Sequence, residues 1–262
     1  MSKLSHRAIP RFVATGALQG EGAEGQRFLA LEWLEGEDLG AWRKGRGHTQ
    51  RQVVELVRQA ALGLAALHDA GIVHRDIKPG NFFLGGDRRA PTVVLIDLGI
   101  ARAYADPALT AVGFLLGTPA YMSPEQARGQ QRLTARSDLF SLGVVLFELI
   151  TGKKPYRAED MASLAMKIAL QSPPRLREEL PQVSRELDDL VATAMARAPE
   201  DRFASARELA DALGRLSLGD DVLPSSSRGL ALGVTDEDGR RRLVVSESGA
   251  SQGRGLSLSA IR

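Results

Sequence analysis

The pattern of the chain changes abruptly at Gly71, and that change narrows the possible folds most. Val53, Leu56, Val57, Ala60, Leu64 and Leu67 recur at three- and four-residue steps, as on a helix with one face against a core. Thr49 and Gln52 have capping-box spacing in front of this run. Gly71 behind it predicts a left-handed C-cap. The chain then passes into Ile72-Val73-His74-Arg75-Asp76-Ile77-Lys78-Pro79-Gly80-Asn81. Sixteen residues past Asn81, an apolar strand from Val93 to Ile96 has run into Asp97. A packed helix, a polar loop and a strand ending on a carboxylate together demand a fold that mixes α and β.

These polar residues differ in their chemistry. Asp76 is a carboxylate able to accept a hydroxyl proton, and Lys78 is a cation two residues on, able to sit over a transferring phosphoryl group. Asn81 and Asp97 offer hard oxygen donors, which Mg²⁺ prefers alongside substrate phosphates. Their order is fixed across two neighbouring turns.

The remaining chain is read by periodicity. Short strands are expected at Pro10 to Ala14 and Arg27 to Trp33. Between them, Gly20-Glu21-Gly22-Ala23-Glu24-Gly25 matches GxGxxG. Its two glutamates would face anionic phosphates, so a hairpin turn is the better account. Asp138 to Ile150 is apolar on most sides, which predicts a buried helix. Further helices are expected at about Met161 to Leu170, Ser184 to Arg197 and Ser205 to Leu216. After Leu218 the chain turns to Gly, Ser and Arg, as in a mobile linker, with one strand-like piece at Arg242 to Val245.

Composition excludes several classes. Of the 262 residues 44% are hydrophobic and 25% charged, a globular mix. With no cysteine, disulfide scaffolds, thiolate metal sites and cysteine nucleophiles are ruled out. Net charge is only +2 and no basic stripe interleaved with aromatics is present, so nucleic acid is not an expected partner. The longest apolar stretch, Leu139 to Ile150, is too short to span a bilayer. No apolar signal segment opens the chain, and a cytoplasmic location is expected.

Three further segments extend the constellation: Gly117-Thr118-Pro119-Ala120-Tyr121-Met122-Ser123-Pro124-Glu125, then Ser137-Asp138-Leu139-Phe140-Ser141-Leu142-Gly143, then Ala198-Pro199-Glu200-Asp201-Arg202-Phe203. In this order the motifs strongly resemble a eukaryotic-like (Hanks-type) protein Ser/Thr kinase domain of the bacterial kind, over roughly residues 4–216. The resemblance implies an α+β protein-kinase-like fold, mainly the helical C-lobe. It divides the chain into an N-lobe remnant at 1–35, a C-lobe at 36–216 and a flexible polar tail at 217–262. It also implies transfer of the ATP γ-phosphate to protein Ser/Thr hydroxyls, with ATP and Mg²⁺ as cofactors.

Carried over residue by residue, the resemblance makes Asp76 and Lys78 catalytic and gives Mg²⁺ to Asn81 and Asp97. Leu31 becomes the gatekeeper, Glu32 to Leu34 contact adenine through backbone, Asp38 (or Glu37) lies near the ribose, and Phe83 floors the adenine pocket. Thr118 shapes the peptide groove. Arg75 is a regulatory cation, and Thr110 is the candidate autophosphorylation site. Glu125 and Arg202 form a structural ion pair, Asp138 ties the central helix to the loop, and His74 is a packed core residue. Leu98 stands where the family often has Phe.

The family's glycine-rich loop, strand lysine and partner glutamate have no counterpart in this sequence. Lys44 does not replace the lysine, since it falls in a polar loop, Arg43 to Gly47. The expectation is a coding frame that starts upstream of Met1, giving an N-terminally truncated product. The alternatives are a non-catalytic pseudokinase-like scaffold and half of a split kinase. The front strands are then expected to expose an apolar face that calls for a covering partner.

Overall fold

The computed structural model describes residues 6–17, 27–45, 47–87, 90–97, 119–219, 221–223, 231–235 and 241–245. The chain divides into two units, Met1–Ser226 and Ser227–Arg262. In the second unit, Ala231–Thr235 and Arg241–Val245 form an antiparallel hairpin in which Ala231 pairs with Val245. The strand-like piece expected at Arg242 to Val245 lies within it.

The first unit opens with β1 (Phe12–Ala17) and β2 (Arg27–Leu31), paired antiparallel. The pairing agrees with a hairpin across the GxGxxG match, whose own residues lie outside the described ones. Val13 is 54% exposed and Trp33 88%. Phe28 and Leu29 are exposed as well, so this front sheet does present apolar surface.

A second sheet holds β3 (Gly36–Asp38), β4 (Phe82–Gly85) and β5 (Thr92–Leu95) in the order β3-β4-β5. Gly36 makes the β3–β4 contact possible. Its φ is +148°, and a Cβ there would lie 1.9 Å from the Leu84 carbonyl oxygen, so only glycine fits.

Helix α1 (Leu39–Lys44) follows β3 directly. This corrects the polar-loop reading of Arg43 and Lys44. Arg43 is 5% exposed and donates from Nε to the Leu149 carbonyl at 2.6 Å. A charged residue whose partner lies over a hundred positions away gives no local sign of burial.

The long helix α2 (Gln50–Asp69) carries the predicted capping box: Thr49 Oγ1 accepts from Gln52 N, and Gln52 Oε1 accepts from Thr49 N. Gly71 follows at φ +74°. The helix packs against α4 (Ala135–Thr151) and the terminal helix α8 (Ala206–Gly214). Within α4, Phe140, Leu142, Val144, Val145 and Ile150 have no exposure, as expected of a helix that is apolar on most sides. Between α4 and α8 run α5 (Met161–Leu170), the short α6 (Leu176–Glu179) and α7 (Arg185–Ala194); α5 and α7 are close to expectation, α7 stopping three residues early.

Residues 221–223, placed in the tail by sequence, lie against this body. Leu223 N donates to the His48 carbonyl at 2.8 Å and Gln50 N to the Asp221 carbonyl at 3.2 Å. Leu223 is buried. No helix among the described residues is long and apolar enough to cross a membrane.

Candidate active site

The loop between α2 and β4 is anchored from below by one buried carboxylate. Asp138, near the start of α4, is 1% exposed. Its Oδ2 accepts the His74 backbone N–H and its Oδ1 the Arg75 N–H, both at 2.8 Å. Arg75 has φ +67°, a left-handed conformation that costs a non-glycine residue about 1–3 kcal/mol and persists only when its surroundings enforce it. Here they do so on both sides. Asp138 takes the Arg75 N–H, and Gln126 Nε2 donates to the Arg75 carbonyl at 2.8 Å. The strained residue immediately precedes Asp76 and sets its direction.

His74 has no exposure. Burial pushes its ring below the usual histidine range, although Asp138 and the Ile96 carbonyl pull the other way. The ring is therefore neutral near pH 7. Nε2 lies 3.3 Å from the Ile96 carbonyl, while Nδ1 is buried without a hydrogen bond, as suits an Nε2–H tautomer.

Among the described residues, Lys78 and Asn81 both hold Asp76. Lys78 Nζ lies 2.9 Å from its Oδ2. Asn81 Nδ2 donates to the Asp76 carbonyl at 2.7 Å and to Oδ2 at 3.2 Å. Asn81 is 2% exposed, whereas the Asp76 and Lys78 side chains keep 24% and 29% of their surface. A carboxylate and an ammonium thus face solvent above a buried amide.

The β4–β5 hairpin brings in the fourth residue. Ile96 N donates to the Asn81 carbonyl at 2.9 Å, so Asp97 emerges beside Asn81, exposed and at φ +56°. Both Asn81 amide hydrogens are directed at Asp76, which leaves Oδ1 without a hydrogen bond among the described residues. An unbonded amide oxygen beside an exposed carboxylate is a fitting donor set for Mg²⁺.

The residues expected around adenine are divided between the two sheets. Asp38 and Phe83 pair in register on β3 and β4. The Asp38 side chain also caps α1, accepting from Ala41 N at 2.9 Å. Leu31 ends β2, and Glu32 is committed to Arg11, accepting its N–H at 2.8 Å and donating its own N–H to the Arg11 carbonyl. Leu34 is half-buried. No hydrogen bond joins Leu31, Glu32 or Leu34 to Asp76, Lys78 or Asn81 among the described residues. Thr110, Thr118 and Leu98 lie outside the described residues.

The far side of the site is closed by α3 (Pro124–Ala127), capped by Ser123 with Gln126 reciprocating. Glu125 in this helix forms a two-pronged pair with Arg202, at 2.7 and 2.9 Å. Tyr121 donates its hydroxyl to Glu148 Oε2 at 2.6 Å. Sequence reading missed two parts of this wall, Gln126 and Tyr121. The Ser123-x-x-Gln126 spacing does signal a cap, but nothing local reveals that the same amide also reaches Arg75.

The family model described as the protein kinase domain matches residues 1–212. Among curated relatives, serine/threonine-protein kinases drp72 of Corynebacterium efficiens is 37% identical over 193 residues, covering 73% of this chain and 36% of its own length. PknL of Mycobacterium tuberculosis is 39% identical over 208 residues, covering 78% and 51% respectively. Among solved structures, the kinase domain of Mycobacterium tuberculosis PknI superposes with a TM-score of 0.61 at 26% identity, over 81% of this chain and 73% of that one. The chain therefore spans about a third to a half of the length of the curated relatives it matches.

Proposed function

The chain belongs to the protein kinase domain family, and from that premise we propose that it transfers the γ-phosphoryl group of ATP to serine or threonine hydroxyls of proteins. The observation that carries this reading is the Asp76–Lys78–Asn81 cluster, with Asp97 delivered beside it by a backbone hydrogen bond. A substrate hydroxyl oxygen attacks the γ-phosphorus as the bond to the β–γ bridging oxygen breaks. ADP leaves and the hydroxyl proton passes to Asp76. Such transfers have a loose transition state, so aim matters more than basicity, and the doubly held Asp76 carboxylate is aimed.

In this reading Lys78 neutralises charge on the moving phosphoryl group. Asn81 Oδ1 and Asp97 hold Mg²⁺, which when bound offsets phosphate charge. Asp38 and Phe83 mark the nucleoside end, together with Leu31 and the backbone of Glu32 to Leu34. Thr118 and Thr110, both outside the described residues, are assigned to peptide binding and to autophosphorylation, and Arg75 to regulation. Glu125, Arg202, Asp138 and His74 hold the frame.

The test is transfer from γ-labelled ATP, with Mg²⁺, to a basic protein rich in Ser and Thr. Label is expected on Ser or Thr, falling at least about a hundredfold in Asp76→Asn. Equal labelling by wild type and Asp76→Asn overturns the catalytic reading and favours a scaffold.

A further inference from the structure

The segment that follows the last helix is fastened to the start of α2 by three hydrogen bonds. Arg51 Nη2 donates to the Leu218 carbonyl at 2.8 Å, Gln50 N to the Asp221 carbonyl at 3.2 Å, and Leu223 N to the His48 carbonyl at 2.8 Å. Leu223 is buried and Val222 bridges to Thr49. This clip ends on a residue that also faces the other way. The His48 ring stacks on Trp42 of α1 with centroids 3.7 Å apart, and its Nε2 lies 2.8 Å from the Trp42 carbonyl. Burial holds the ring below the usual histidine range, against the pull of that carbonyl. Near pH 7 it is therefore neutral, with Nε2–H as the donor.

Helix α1 needs that donor. Its six residues are too few to hold a helix by themselves, and the last carbonyls of any helix lack partners within it. The Trp42 carbonyl takes Gly45 N–H at 3.0 Å as well as the His48 ring. A Cβ on Gly45 would lie 3.0 Å from His48 Nε2, so the ring seats against bare backbone. At its other end α1 starts from Asp38, whose side chain caps it. There a Cβ on Gly40 would lie 3.5 Å from Pro79 Cβ, so the helix rests on the Pro79–Asn81 turn. Direct contacts thus run from the clip through His48 and α1 to Asp38 and the turn that carries Asn81.

We propose that His48 is a positioning residue: held by the clip at 218–223, it caps α1 and so fixes Asp38 at the nucleoside end of the site. The consequence for nucleotide affinity rests on the kinase reading; the consequence for α1 does not.

The experiment compares wild type, His48→Gln, His48→Phe and Leu223→Ala in the full chain, with the double variant of the last two. A glutamine amide nitrogen reaches the place of the histidine Nε2 and keeps the donor, whereas phenylalanine keeps a ring over Trp42 without it. Hydrogen exchange at the Ala41 and Gly45 amides is read first. Exchange about tenfold faster is expected in His48→Phe, with near wild-type protection in His48→Gln and no change at the centre of α4 in either. Leu223→Ala should speed the same two amides, and the double variant should go little beyond His48→Phe. Unchanged exchange in His48→Phe, or a His48→Gln variant as fast as His48→Phe, overturns the proposal. So do effects of His48→Phe and Leu223→Ala that simply multiply, because the clip would then act on α1 by another route.

Nucleotide binding supplies the second readout. Kd for ADP with Mg²⁺ should rise about tenfold in His48→Phe and in Leu223→Ala, and His48→Gln should recover most of the loss. KM for ATP should follow, with kcat within about twofold. A fall in kcat at unchanged nucleotide affinity contradicts the proposal. Wild type that binds no nucleotide, with the expected exchange pattern intact, removes the kinase reading and leaves the coupling of clip to α1 standing.

Discussion

At the scale of single residues, the most fully buried ion pair among the described residues is Glu125 with Arg202. Their side chains are 5% and 0% exposed. Arg202 also donates to the carbonyls of Ala196, Arg136 and Arg197 and lies 4.9 Å from the Phe140 ring centroid. Every N–H of the fork has an acceptor, so the cost of desolvating this pair is met inside the fold. Removing one partner leaves a buried charge, and Arg202→Met should cost about 3–5 kcal/mol of unfolding free energy, read by urea titration. The pair also shapes the acid limb of stability. Burial alone would raise the Glu125 carboxyl above its ordinary 4.5, but the hydrogen bonds from Arg202 and Ser137 outweigh it and the net shift is downward. Such a group stabilises the fold fully above 4.5 and loses that contribution as pH falls through the folded value. His74, lowered by burial from 6.5, behaves alike in a higher window, its contribution draining away as pH falls below 6.5. Wild type should therefore lose stability in two stages on acidification, and Glu125→Gln should shrink only the lower one, to which the depressed Glu55 also contributes. A lower stage of the same size in both proteins would show that Glu125 is not depressed.

At the scale of elements, α4 is fixed by one close approach. A Cβ on Gly143 would lie 2.8 Å from Met195 Cγ and 3.0 Å from Ala194 Cβ, so α7 packs directly against the α4 backbone. Replacing glycine inside a helix ordinarily gains stability, about 1 kcal/mol for alanine. Here the gain meets overpacking of about 1–3 kcal/mol. Gly143→Val, with a branched Cβ, should therefore destabilise clearly and more than Gly143→Ala; thermal melts of the two variants give the order, and a Gly143→Val protein as stable as wild type would contradict the packing. Elements like α4 were legible because their signals are local. A run of Val, Leu, Phe and Ile in a helix-length stretch demands burial, and Thr49 with Gln52 announces the start of α2 within four residues. The short α1 was not legible. Six residues, Leu-Gly-Ala-Trp-Arg-Lys, carry too few apolar positions to show a period, and Asp38 reads equally well as a ligand or as the cap it is. Strand β4 was hidden for a related reason, since its four residues follow straight on from the Pro79–Asn81 turn.

Over the whole molecule, the division between legible and hidden follows the sequence distance of each partner. Asp76, Lys78 and Asn81 lie within six positions of one another, so their clustering could be read from the chain, as could the delivery of a carboxylate by the β5 strand. What holds that cluster comes from afar: Asp138 from α4 and Gln126 from the far wall. The tie through Asp138 is read only from the family resemblance, and Gln126 shows in sequence as a cap and nothing more. The same limit governed the end of the helical body. Composition turns polar after Leu218, yet Asp221, Val222 and Leu223 return to the α2 N-terminus, with Thr49 and Val222 forming an isolated bridge. Leu223 is 6% exposed and belongs to the main core. Burying a leucine side chain contributes about 1.5–3 kcal/mol, and the two backbone bonds close the open end of α2. Two shortened chains separate this clip from everything after it. A chain ending at Ser226 keeps the clip and one ending at Leu218 lacks it, so the shorter should unfold at lower urea by about 1.5–3 kcal/mol. It should also exchange the amides of Gln50 and Gln52 faster. Matching urea midpoints for the two chains would mean that composition marked the boundary correctly and that residues 221–223 add nothing to the body.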